Sequence, residues 1–121
     1  MSQAFEFTSR ELRVVNPGVR ATIAASCVFS KEVLVSRLYR RTRHVSAYSV
    51  RGLGGGESLW AAGSAWFVEL DPPMRIPADD GFRWECVYEN RSDLPFRVGG
   101  TSSDTCSLLG LYRLPGGGAD G

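Results

Sequence analysis

The sequence is poor in histidine and cysteine, with a single histidine, His44, and three cysteines, Cys27, Cys86 and Cys106. A zinc or copper site built from several histidines is excluded within one chain, because such a site needs more imidazole ligands than this chain carries. The cysteines show no C-x-x-C spacing, so neither a zinc ribbon nor a thioredoxin-type motif is expected. A serine triad would have only His44 to use as its base.

An excess of one charge and long apolar runs are lacking as well. The 14 basic and 13 acidic residues give a formal charge of +1, so the chain lacks the strong field that nucleic acid or an anionic membrane attracts. No run reaches about 18 apolar residues, and no basic segment followed by an apolar run opens the chain, which predicts neither a membrane span nor a signal peptide. These absences predict a cytoplasmic protein without nucleic-acid or membrane partners.

The residues that are present describe one globular domain rich in turns. The chain has 121 residues, of which 43% are hydrophobic, and it holds 14 glycines and six prolines. That length is enough for one domain with its own core. We expect this domain to cover residues 1–114. The glycine-rich tail, 115–121, is expected to be disordered, because it has too little apolar surface to offset its ordering entropy.

The hydrophobic pattern alternates with a period of two along most of the chain, which is typical of strands. In the clearest case Phe82, Trp84, Cys86 and Tyr88 share one face, which predicts a strand half-buried in an antiparallel sheet. Strands are predicted at 21–29, 33–41, 43–50, 64–70, 82–89 and 106–112.

Turn signals separate these strands at short intervals. They include Asn16-Pro17-Gly18, the glycine-rich run at 52–56, Asp71-Pro72-Pro73, Asp79-Asp80-Gly81, the run at 90–93 and Gly99-Gly100. About nine short strands at this spacing predict an all-β protein, a single antiparallel β-sandwich with a jelly-roll-like arrangement.

Three segments in the second half of the chain carry a family resemblance: CVYENRS at 86–92, VGGTSSD at 98–104 and CSLLGLY at 106–112. Together they resemble the C-terminal sandwich domain of the copper type II, ascorbate-dependent monooxygenases, over roughly residues 20–114. The resemblance implies that Cys86 and Cys106 lie close together on neighbouring strands. It also implies a disulfide between them, although in the cytoplasm they could remain thiols.

The resemblance extends to the copper-binding segments, but the ligands are lost. Where the family has two histidines in an H-T-H motif, this chain has Arg41 and Arg43, and only Thr105 stands where the family has Glu-Met. Guanidinium does not deprotonate at usable pH and does not ligate metal. We therefore expect no copper, no other cofactor and no monooxygenase activity.

The arginine pair has two interpretations. Arg41 and Arg43 leave the same face of a strand, and the resemblance would place them in a cleft rimmed by Thr101, Ser102 and Ser103. Two such guanidinium groups would hold a carboxylate, phosphate or enolate oxygen and stabilise developing negative charge. Alternatively, the arginines form the solvated end of an edge strand. Alternation places four further side chains on the same face: Val33, Val35, Arg37 and Tyr39.

Five other residues complete the candidate site. Asp104 would serve as a carboxylate base or as a partner for one arginine, or would only cap its own turn. Tyr48 and Trp60 flank the glycine-rich run and would line a pocket, with Tyr48 as a proton carrier, or belong to the core. Arg37 and Tyr39 would add ligand contacts.

Three functions remain open from the sequence. The first is a copper-free, cofactor-independent enzyme that cyclises, isomerises or moves a proton on a small organic molecule carrying a carboxylate or enolate oxygen. The second is a non-catalytic binding or carrier protein that uses the same cleft. The third is a structural or interaction subunit, and its partner would be a second copy of the chain, forming a homo-oligomer, or another protein.

Overall fold

The computed structural model describes residues 2–40, 45–54, 58–62, 67–99 and 104–115, with the backbone alone at 58–62. These residues form ten strands, and no helix among them could span a membrane. The strands are β1 (Gln3–Thr8), β2 (Arg13–Val15), β3 (Arg20–Val28), β4 (Val33–Tyr39), β5 (Val45–Gly52), β6 (Ser58–Ala62), β7 (Phe67–Ile76), β8 (Gly81–Glu89), β9 (Phe96–Val98) and β10 (Ser107–Arg113).

The chain folds back on itself as one long antiparallel ribbon. β1 pairs with β10, β2 with β9, β3 with β8, β4 with β7 and β5 with β6. The ribbon is then rolled, so that β10 also pairs with β4 and β8 with β5. Two four-stranded sheets result, in the orders β1-β10-β4-β7 and β3-β8-β5-β6. This is a jelly roll, and the predicted antiparallel β-sandwich is confirmed.

The core lies between the two sheets and follows the alternation of the strands. On β8 the side chains of Phe82, Trp84, Cys86 and Tyr88 are buried while Arg83 is exposed, as the sequence predicted. The first sheet contributes the side chains of Phe5, Val33, Val35, Leu38, Ile76 and Leu108. The Phe5 and Phe82 rings stack across the two sheets with centroids 6.4 Å apart.

The face predicted for β4 is corrected by a bulge. Val33 and Val35 point into the core, but the next buried side chain is Leu38, so Arg37 does not share the face of the valines. The pairing with β10 skips Ser36, because Val35 lies opposite Tyr112 and Arg37 opposite Leu111. One extra residue reverses the alternation, which places Arg37 and Tyr39 on the outer face of the sheet.

The run Asp71-Pro72-Pro73 is the second correction, because it lies inside β7 and is not a turn between strands. In the pairing with β4, Glu69 lies opposite Arg37 and Met74 opposite Val35, so 70–73 bulge out against a single residue. β7 is an edge strand. Proline donates no hydrogen bond, and an edge strand tolerates it since one side of its backbone has no partner.

The turn before β8 requires a glycine for lack of space. A Cβ atom at Gly81 would lie 1.9 Å from the Cys27 carbonyl oxygen. The positive φ of this turn is at Asp79, with φ 66°. Gly18 has space but a conformation that favours glycine. A Cβ atom there would meet no neighbouring atom within 4 Å, but the φ of Gly18 is positive, at 79°.

Gly81→Ala is therefore expected to lower the free energy of unfolding by about 3 kcal/mol, because the clash is with backbone, which must shift. Gly18→Ala is the matched control and is expected to cost about 1 kcal/mol from its φ alone. Urea unfolding followed by tryptophan fluorescence measures both. Equal costs for the two variants would contradict the close packing of β8 against β3.

Candidate ligand-binding site

Much of the cleft predicted from the sequence lies outside the described residues. This applies to Arg41, Arg43, Thr101, Ser102 and Ser103. Trp60 lies on β6, where its backbone is opposite Val50, and its side chain is outside the described part of the chain. The anion cleft between the arginine pair and the serine-rich run therefore stays a prediction.

Tyr48 belongs to the core. Only 2% of the residue is exposed, and its hydroxyl donates a hydrogen bond of 2.7 Å to the Ser107 carbonyl, which joins the two sheets. Burial raises the pKa of Tyr48 well above its usual range, against a smaller opposing effect of the Arg40 charge. A phenol that is buried, bonded and harder to ionise is a poor proton carrier. The geometry favours the core alternative for Tyr48 over a place in a pocket, and its role as a proton carrier stays a prediction.

Asp104 is also buried, with 2% of the residue exposed. Its backbone carbonyl accepts a hydrogen bond of 2.8 Å from the Gly99 amide. This bond closes the base of the loop between β9 and β10, and Gly99 has a φ of 89° there. A catalytic role for the Asp104 carboxylate stays a prediction.

Arg37 and Tyr39 form a packed cluster on the outer face of β4. The Arg37 guanidinium donates a 3.2 Å hydrogen bond to the Tyr39 hydroxyl and pairs with the Glu69 carboxylate. It also lies 5.3 Å from the Phe67 ring centroid, within the range of a cation–π contact. The bond to Tyr39, followed by the Glu69 charge, raises the pKa of Arg37. These contacts involve neighbouring side chains of the sheet rather than the interior of the sandwich.

Cys86 and Cys106 form a disulfide, with their Cα atoms 6.0 Å apart. Cys86 lies on β8 and Cys106 directly before β10, so the bond connects the two sheets inside the core. The Trp84 indole nitrogen donates to the Cys106 carbonyl at 3.4 Å. Cys27 is a buried thiol whose pKa is raised by burial.

Among the described residues, no group of three or more His, Cys, Asp and Glu side chains could hold a metal ion.

An aromatic pocket lies at one end of the sandwich, and none of the site residues predicted from the sequence lines it. We use this name for a cavity of about 290 Å³ that opens to solvent. Its lining comes from β1, from the end of β3, the start of β4 and the connection between them, and from β10 with the residue that follows it. The lining residues are Phe5, Phe7, Val28, Phe29, Ser30, Lys31, Val33, Tyr112 and Leu114.

The local sequence explains why these rings converge. Phe5 and Phe7 alternate with exposed residues on β1, so both point inward. Phe29 meets them edge-on, with its ring centroid 5.4 Å from that of Phe5 and 5.9 Å from that of Phe7. Tyr112 completes the wall, 6.1 Å from Phe5 and 6.2 Å from Phe29. Edge-to-face rings at these distances attract one another beyond their burial.

Hydrogen bonds outside the pocket hold two of its walls in place. The Phe29 amide donates to the Asp80 carbonyl at 2.9 Å, and the Asp79 amide donates to the Phe29 carbonyl at 2.8 Å. The Tyr112 hydroxyl donates to Gln3 Oε1 at 2.8 Å. These bonds anchor Phe29 to the turn before β8 and Tyr112 to β1 before any ligand arrives.

The sequence interpretation missed this pocket. Phe5-Glu6-Phe7 alternates in the correct way, but the alternation is short, and the strand that it belongs to was not predicted. The partner of β1 is β10, about a hundred residues further along the chain, where Phe5 lies opposite Gly110. The short Phe-x-Phe alternation is the signal that could have indicated an inward aromatic wall.

Comparison with models of known protein families finds no match to this chain, and comparison with curated proteins finds none either. The resemblance to the copper type II monooxygenases therefore stays a prediction.

Proposed function

We propose that this protein binds a small organic molecule with an apolar, ring-bearing body in the aromatic pocket. The observation that carries the proposal is the 290 Å³ cavity with Phe5, Phe7, Phe29 and Tyr112 in its lining. Ligand pockets are concave, predominantly apolar and largely preformed, with few polar groups. The anchored ring walls meet that description.

The volume sets the size of the ligand. A dry cavity of about 150 Å³ holds one benzene ring, and drug-sized ligands occupy roughly 300 to 1,000 Å³. At about 290 Å³, the aromatic pocket suits a body of one or two fused rings. The edge-to-face arrangement of Phe5 and Phe29 gives such a ligand both ring faces and ring edges to contact.

Binding without chemistry is favoured over the cofactor-independent enzyme. Among the described residues that line the pocket there is no histidine, aspartate or glutamate to act as a general base. The arginine pair of the enzyme hypothesis lies outside the described residues, and Tyr48 is committed to Ser107. Catalysis at the predicted cleft and a structural role stay predictions.

The proposal predicts that the wild type binds 2-naphthol with a dissociation constant on the order of 0.1 to 1 mM, given the binding energy that a ligand of this size reaches. Val28→Trp should weaken binding at least about tenfold, because a larger side chain on the lining fills the cavity. Val28 is 51% exposed, so the fold should tolerate the change. Isothermal titration calorimetry measures both affinities.

Val14→Trp is the matched control. Val14 is 48% exposed on a strand and does not line the pocket. This variant should bind as the wild type does. Equal weakening by both tryptophans, or no binding by the wild type at millimolar ligand, would contradict the proposal. A protein that self-associates and binds nothing would favour the interaction subunit.

The cellular compartment is a separate question. The sequence predicts the cytoplasm, where thiols are kept reduced, whereas a buried disulfide between Cys86 and Cys106 is typical of an oxidising compartment. The cytoplasmic location stays a prediction, and the disulfide weighs against it.

A further inference from the structure

We infer that the aromatic pocket selects a carboxylate-bearing ligand, with the ring body against the phenylalanines and the carboxylate at Lys31. This inference rests on the proposed function and names the ligand class of the same site. It predicts a preference for the anion over a neutral ligand of equal shape.

Lys31 is the first observation that supports an anion. It lies in the connection between β3 and β4, two residues after the ring wall of Phe29. It is exposed, and it is the one charged residue among the described residues that line the pocket. A lysine stem packs along apolar surface while its ammonium stays in water, which suits a ligand whose charged end remains at the rim.

Two acidic residues adjoin lining residues along the chain, and both are directed elsewhere. Glu32, which follows Lys31, is ion-paired with Arg75 of β7. Glu6 lies between two inward-facing phenylalanines, so alternation places it on the opposite face of β1. No described carboxylate lines the pocket to compete for the Lys31 ammonium.

A second polar group at the rim favours the same ligand. Ser30 lines the pocket beside Lys31 and brings a hydroxyl that can donate to an oxygen. An apolar wall with a cationic rim is complementary to a molecule that is apolar at one end and anionic at the other.

The test compares indole-3-acetate with indole-3-acetamide, which have nearly the same shape but differ in charge. Calorimetry at low salt should show the acetate bound about three- to five-fold more tightly, the range that an exposed ion pair gives. At about 1 M salt, where charges are screened within roughly 3 Å, the preference should largely disappear.

Lys31→Met keeps the apolar stem and removes the charge. It should weaken binding of the acetate about three-fold and leave the acetamide unchanged, whereas Lys31→Arg should retain the preference. Arg20→Met removes an equal charge at the opposite end of β3, where Arg20 pairs with Glu89, and should change neither affinity.

The outcomes separate the two proposals. If both ligands bind equally well and Val28→Trp abolishes both, the carboxylate preference is wrong and the aromatic pocket stands. If Arg20→Met weakens the acetate as much as Lys31→Met does, the preference comes from the overall charge and the inference is overturned. If neither ligand binds, the proposed function itself fails.

Discussion

Replacing Cys86 and Cys106 together with alanine is expected to lower the free energy of unfolding by about 3 kcal/mol. The disulfide closes a loop with a sequence separation of 20 residues, and it restricts the unfolded chain accordingly. In the folded protein it connects β8 of one sheet to the start of β10 in the other, next to the hydrogen bond from Tyr48 to Ser107. The loss of stability should therefore affect both sheets together rather than one strand.

Urea unfolding under oxidising and reducing conditions measures this effect. A reductant should shift the wild-type midpoint towards that of the double variant and leave the double variant unchanged. Cys27→Ala is the control, because Cys27 is buried but forms no disulfide. The free energy of unfolding of Cys27→Ala should fall only because packing is lost, and its urea midpoint should still shift when reductant is added. A wild type whose stability ignores complete reduction would contradict the structural role of the bond.

Asn90→Ala is expected to cost about 3 kcal/mol as well, because several hydrogen bonds are lost at one buried side chain. The Asn90 side-chain nitrogen Nδ2 donates to the Val15 carbonyl at 2.8 Å and to the Leu94 carbonyl at 2.7 Å. Its oxygen accepts from the Ser92 amide at 2.9 Å and from the Ser92 hydroxyl at 2.6 Å. Alanine would leave the Val15 carbonyl buried without this donor.

Thermal and urea unfolding measure the free energy of unfolding of Asn90→Ala, and Ser92→Ala is the control measured in the same way. Ser92→Ala removes only hydroxyl bonds near the surface and should cost about 1 kcal/mol. If the two variants were equally stable, the side-chain amide would not organise this loop.

The run Asn90-Arg91-Ser92 also spells a glycosylation acceptor. Asn90 is 3% exposed and donates to both carbonyls, so the folded protein does not present it for that modification.

The sequence was most informative where the alternation runs without interruption. β8 keeps its inward side chains in strict alternation from Phe82 to Tyr88, and the prediction gave its buried face correctly and its bounds to within one residue. A turn was also predicted at Asn16-Pro17-Gly18, and the structure has one there, with a positive φ at Gly18. Local pattern and final structure agree here because no irregularity lies between them.

Irregularities of pairing explain most of the errors. The extra residue at Ser36 reverses the faces of β4, and nothing in the local pattern marks it, because the bulge depends on the register with β10. Pro72 and Pro73 signal a turn in almost any context, yet an edge strand accepts them in a bulge. The short strands β2 and β9 exist only as a pair across the fold, so neither was predicted.

The candidate site shows the same limit. The sequence offered residues with reactive side chains, whereas the rings that line the pocket come from β1, from the connection after β3 and from β10. Phe5 and Tyr112 are 107 positions apart in the numbering, yet their ring centroids are 6.1 Å apart. Only the pairing of β1 with β10 brings them together.

The most direct test of the account is a protein-observed NMR titration with 2-naphthol that assigns the aromatic ring protons. Binding in the aromatic pocket should give ligand contacts and shift changes at Phe5, Phe7, Phe29 and Tyr112 and leave the buried ring of Trp84 unaffected. Changes confined to other parts of the surface, or none at millimolar ligand, would contradict binding in the aromatic pocket.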